Sequence, residues 1–152
     1  MGVAGPRAPD ISQLTPEQRA ERLYDRMMSM AERGQKDSVQ FFAPMAMQAY
    51  EMLDSLNLDQ RYDLGRLGEI SGNAPLARAQ SDTILKRDPN HLLGHILAAN
   101  AARMAGDSKS ESAHLSQLVA AEPKERARAL PEYLLHQADI KAALAHASAL
   151  KP

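Results

Sequence analysis

An all-α chain built from antiparallel helix pairs is what the sequence predicts, and three observations carry that expectation. Ala and Leu dominate, aromatic residues make up only 4% and Trp is absent, a composition that favours close-packed helices over sheets. Apolar residues recur at helical spacing, and nothing alternates with period two beside a hairpin turn. Residues 58–91 also lie over 92–125 with a period of 34, so that Gly72 falls on Gly106, Ile84 on Leu118, Leu85 on Val119 and Pro89 on Pro123. Such a period, with two helices per unit, marks a helical solenoid in which each unit buries its apolar face only against its neighbours.

The elements follow in order. Thr15, Pro16 and Gln18 form a capping box with proline at the first helical position. The helix they start carries Leu23, Met27, Met30 and Ala31 at helical spacing and stops at Gly34. A second helix is expected over about Asp37–Leu53, with a kink or late start at Pro44. A third runs over about Asp59–Ser71 and ends at Gly72. Asn73 caps a fourth, which holds Pro75 in its first turn and ends near Arg87 before Pro89. Asn90 opens a fifth, which stops at Gly106. Ser108 and Glu111 form a second capping box for a sixth, which ends near Ala121 before Pro123. Beyond it a short helix, a turn near Gln137-Ala138-Asp139 and a last helix to about Leu150 complete the chain. Residues 1–14 are rich in Gly, Pro and Ala and read as a flexible tail. Residues 15–152 read as one repeat domain, with units of about 20–57, 58–91, 92–123 and 124–152.

The stretch "RYDLGRLGEISGNAPLARAQSDTILKRDPN", residues 61–90, carries a resemblance to a known family. With Leu58 as the first position of the unit, Leu64 and Gly65 fill the Leu-Gly pair of the tetratricopeptide repeat. Ala77 fills its small position in the second helix and Pro89 its closing proline. The next unit keeps Ala98, Ala99 and Ala102 where the helices cross, but carries Glu111 in place of the small residue. The resemblance spans about 130 residues and is specific over 58–123. It implies a right-handed α-solenoid of three to four helix pairs, whose first helices line a concave groove for an extended peptide or a partner helix. Matched position by position, one unit would offer Asp59, Tyr62, Asp63, Arg66, Glu69 and Ile70 to that groove. The next would offer Leu93, Ile96, Leu97, Asn100, Arg103 and Met104. Asn100 matches one position of the carboxylate clamp found in chaperone-tail binders. The companion lysines are absent, so that ligand is not expected.

Composition narrows the function classes. The formal net charge is −1, which pulls on neither nucleic acid nor anionic lipid. No cysteine is present, which removes disulfides, thiolate metal sites and thiol nucleophiles. No apolar stretch reaches the roughly 18 residues of a membrane span. No phosphate-binding loop, nucleophile elbow or HExxH motif occurs. His91 and His95 stand four apart, with His114 on the next helix. Ordinary repeat positions account for them better than a metal site, which needs three or four supported ligands. The basic run "KERAR", 124–128, is diluted by Glu122 and Glu125 and reads as a solvated face. Six of the eight methionines fall in the first two helices, mostly as core filler; "FFAPMAM", 41–47, would dock a partner or a lipid surface only if its phenylalanines stood exposed. The expectation is a non-catalytic module without cofactor or metal, binding a protein or peptide partner and no nucleic acid. The alternative is a structural subunit that self-associates.

Overall fold

A computed structural model describes residues 13–150, and these form eight α-helices with no strand among them. The chain divides between Asp54 and Ser55 into two compact units.

The first unit is a hairpin of α1 (Pro16–Glu32) and α2 (Lys36–Glu51). The Thr15 capping box forms as expected: the Thr15 hydroxyl accepts from the Gln18 N–H at 3.1 Å, and the Gln18 side chain accepts from the Thr15 N–H at 3.0 Å. Ala20, Tyr24 and Met27 of α1 and Val39, Ala43, Ala46 and Tyr50 of α2 are buried. The α2 set follows the four-three-four spacing of a helix seam. Pro44 lies inside α2, which continues through it without a late start. Among the described methionines of this unit Met27 alone is in the core; Met28, Met30 and Met47 are half-buried, and Met45 and Met52 are exposed.

The second unit holds α3 (Leu58–Ile70), α4 (Ala74–Arg87), α5 (Leu92–Met104), α6 (Ser108–Ala127), α7 (Pro131–Leu135) and α8 (Gln137–Ala149). Helix α3 packs on α4 and α5, and α5 packs on α4 and α6. Two successive hairpins thus lie side by side around a core that includes Tyr62, Ile84, Leu93, Leu97 and Leu118. Small residues set the crossings. A Cβ at Gly65 would come within 2.6 Å of Leu97 Cδ1, and one at Gly94 within 2.7 Å of Leu85 Cδ2, both inside contact distance, so α5 approaches its neighbours only because these positions lack a side chain. The reversals between paired helices use Gly72 and Gly106 at φ 78° and 75°, the left-handed region open to glycine at no steric cost.

Three expectations are corrected. The turn expected near Gln137-Ala138-Asp139 is instead the first turn of α8, and the joint with α7 falls at His136. Helix α6 is capped by Asp107, whose side chain accepts from the Ser110 N–H; Ser108 is already helical. The third concerns the repeat itself. Pro89 closes α4 after Asp88, whose extended backbone (φ −145°, ψ 90°) suits the residue before a proline. Pro123 does not hold the equivalent place: it lies inside α6, which runs on to Ala127. The chain turns back only at Ala129, a non-glycine residue at φ 51°. Pro131 then opens α7 at its first position, where a missing N–H removes no helical bond. With only five residues, α7 is no full partner helix, and α8 packs on α5 and α6.

Candidate functional site: a cleft between α3, α5 and α8

Most of the residues expected to face a groove do lie on one side of α3 and α5, but α7 and α8 cover much of that side. Tyr62 is fully buried, and its hydroxyl donates to Asp139 Oδ2 of α8 at 2.6 Å. Asp59 and Asp63 face His136, at the joint between α7 and α8. Arg66 bonds to Glu69 at 2.6 Å and lies 3.5 Å from Asp139. Burial pushes the Arg66 guanidinium down, but Glu69, Tyr62 and Asp139 outweigh it and hold Arg66 above its ordinary value. Leu93 and Leu97 are at 0% exposure and belong to the core rather than to an open wall. Ile96 is also buried, Ile70 is half-buried and Met104 is exposed. The physical reason is that the last helix supplies its own polar seam to this face, with His136, Asp139 and His146 turned toward α3 and α5.

What stays open is a cleft of about 300 Å³ lined by Tyr62, Arg66, Ile96, Asn100, Arg103 and Leu115 together with Asp139, Ala142, Ala143 and His146 of α8. It brings together five of the twelve residues expected to face the groove. Arg103 is its accessible cation, half exposed at 49% of its side chain. Its guanidinium donates to Asn100 Oδ1 at 2.7 Å and lies 3.1 Å from His146 Nε2 and 3.5 Å from Glu111. Its lining mixes apolar side chains with a forked donor, an amide, an imidazole and the Asp139 carboxylate. Such a lining can hold a side chain and bond a main chain at once.

The histidines named from sequence do separate work. His91 is fully buried at the start of α5, with Nε2 3.0 Å from Glu132 of α7. Beside it the Tyr133 hydroxyl accepts from the Leu92 N–H at 3.1 Å and donates to Glu125 at 2.6 Å, so α7 seals the N-terminus of α5. Burial, together with Glu125, keeps the Tyr133 phenol well above its usual range. His95 lies elsewhere: Nε2 is 3.0 Å from the Pro89 carbonyl and Nδ1 is 3.2 Å from Nδ1 of His114. Burial lowers both pKa values; the neighbouring imidazole lowers His95 further, and Arg78 lowers His114 further. The three rings therefore do not converge on one point.

Sequence reasoning missed Glu111, His136, Asp139 and His146 as members of this face. His136, Asp139 and His146 lie 43 to 77 residues from their partners on α3 and α5, and only the return of α8 brings them in; Glu111 comes from α6, beside Arg103. No helix of the described residues is long and apolar enough to cross a membrane. The chain matches no family model, no curated protein and no solved structure.

Proposed function

We propose that this is a non-catalytic protein-interaction module, with α3–α6 as hairpins of the tetratricopeptide type and a peptide segment or partner helix as its ligand. The observation that carries the reading is the cleft, where Asn100 and the half-exposed Arg103 stand beside Ile96 and Leu115. Arg66, also in the lining, is engaged with Glu69 and Asp139. A partner supplying one carboxylate or a free carbonyl would take the Arg103 fork, with Asn100 bonding its main chain.

The test is selection of peptides from a display library on the immobilised protein, repeated with Asn100→Ala/Arg103→Glu. Selected peptides should lose at least about tenfold in affinity for the variant, the scale of one charge-assisted bond. A peptide set that binds the folded variant as well as it binds the unaltered protein removes the cleft as the site.

Self-association is the second reading, and one observation favours it. Helix α2 carries Phe41 and Met45, exposed at 78% and 51%, on the side opposite its buried seam, and Met52 at its C-cap is 75% exposed. A helix apolar on two opposite sides asks for two neighbours, and a second copy of α2 offers the same stripe. Light scattering should then show a dimer that Phe41→Glu/Met45→Glu converts to monomer. A monomer at every concentration up to about 1 mM discards this reading.

A further inference from the structure

The joint between α7 and α8 places a ring nitrogen against two carboxylates from another helix. Asp59 and Asp63 stand four apart in the first two turns of α3 and so project from one face. His136 Nε2 lies 2.8 Å from Asp59 Oδ1 and 3.3 Å from Asp63 Oδ1, and the three donor atoms all fall within 4.8 Å of one another. The side chains of His136 and Asp63 are 10% and 6% exposed, while Asp59 keeps 27% open to solvent. The edge of the Tyr62 ring packs against the imidazole, with centroids 4.6 Å apart and planes at 64°, which holds the ring in place.

We propose that Asp59, Asp63 and His136 form a binding site for a divalent first-row metal ion, with the remaining coordination positions open to water on the Asp59 side. Bonds of about 2.1 Å place neighbouring donors about 3.0 Å apart in an octahedral shell and about 3.4 Å in a tetrahedral one. The two nitrogen–oxygen separations, 2.8 and 3.3 Å, fall near these spacings, and the two carboxylates lie within 4.8 Å of each other, so the set closes on an ion by drawing the carboxylates inward around the ring nitrogen. One imidazole and two carboxylates are the donor types that suit zinc, manganese or iron(II); an ion such as magnesium or calcium prefers an all-oxygen set. The charges also balance. Two carboxylates and a protonated ring carry −1; the ion enters as the Nε2 proton leaves to solvent, and two carboxylates, a neutral ring and M²⁺ sum to zero. The ion would link α3 directly to the α7–α8 joint and close the end of the chain onto the second unit's first helix. This inference is independent of the peptide-binding reading, because Asp59, Asp63 and His136 do not line the cleft.

Cobalt(II) and zinc(II) are the probes, used on the full chain after chelator treatment at pH 8. One equivalent of cobalt should bind with visible d–d absorption and be displaced by one equivalent of zinc. His136→Gln should abolish the absorption, and Asp59→Asn should weaken binding by about 100-fold. The exposed position of Asp59 makes that variant the safer fold, checked by circular dichroism. His114→Gln is the control and should bind cobalt unchanged, since the His95–His114 pair is the competing nitrogen site. Absence of stoichiometric cobalt and zinc binding overturns the proposal. So does equal binding by folded Asp59→Asn, or loss of binding in His114→Gln.

Discussion

His136 and His95 are both well-covered imidazoles held by hydrogen bonds, yet their surroundings push them in opposite directions. Burial lowers each. At His136 the hydrogen bonds to Asp59 and Asp63, with the charges of both carboxylates, outweigh burial and raise the pKa to about 9. At His95 only a backbone carbonyl and the charge of Glu125 oppose burial, and His114 and His91 add like charge, so the ring stays below its ordinary value. The difference teaches that the two ends of this unit cohere by different means. Around His95, α5 and α6 meet through apolar packing and a pair of imidazoles, whereas around His136 α3 meets the α7–α8 joint through two carboxylates.

Breaking each histidine in the metal-free protein gives the largest contrast. His136→Leu leaves Asp63 covered without its cation and should cost about 3 kcal/mol, the scale for removing one partner of a covered ion pair. His95→Gln loses hydrogen bonds between neutral groups and should cost about 1 kcal/mol. Urea denaturation measures both, and equal losses would erase the distinction.

The pH profile sharpens it next. A raised folded pKa means that the His136 contribution is fully present below about 6.5 and is lost as the pH climbs toward 9. His95 and His114 have lowered folded values, so their contribution is present above about 6.5 and is lost as the pH falls below it. In metal-free protein, His136→Leu should remove the decline between pH 6.5 and 9 and leave the acid-side decline in place. A variant profile that still falls on the alkaline side would show that His136 is not its source.

The smallest expected effect tests the charge environment of His114. Arg78 lowers its pKa and Asp82 raises it. Both are exposed and bonded to each other at 3.0 Å, so solvent screens them. Arg78→Ala should raise the His114 pKa slightly in an NMR titration; no upward movement would remove Arg78 as a cause of its lowering.

Much of the helical framework is legible in the residues because local chemistry fixes it. Thr15 with Gln18, Asn73 ahead of Pro75, and the glycines that reverse the chain at 72 and 106 each satisfy or release backbone groups within a few positions. Asp107 was harder to read, since Ser108 next to it offers an equally good cap in sequence terms. Pro123 could not be read from its own identity. Its place depends on the residue before it: Asp88 leaves the helical region and Glu122 does not, and that choice follows from how far α6 packs. The face of the cleft was half legible. Helical periodicity puts Asp59, Tyr62, Asp63 and Arg66 together on α3. Nothing near them announces that His136 and Asp139 arrive from the far end, because pairing across 77 residues is a property of the folded chain.

Ala129 holds its left-handed backbone without being glycine, at a cost of about 1–2 kcal/mol. The helices packed on either side of the turn must therefore impose that geometry. Replacing it by glycine would relieve the strain while adding roughly 0.4–1 kcal/mol of disorder to the unfolded chain. A looser residue at that one position would leave the protein as robust as before or slightly tougher, whereas the same exchange in the middle of α6 would soften it.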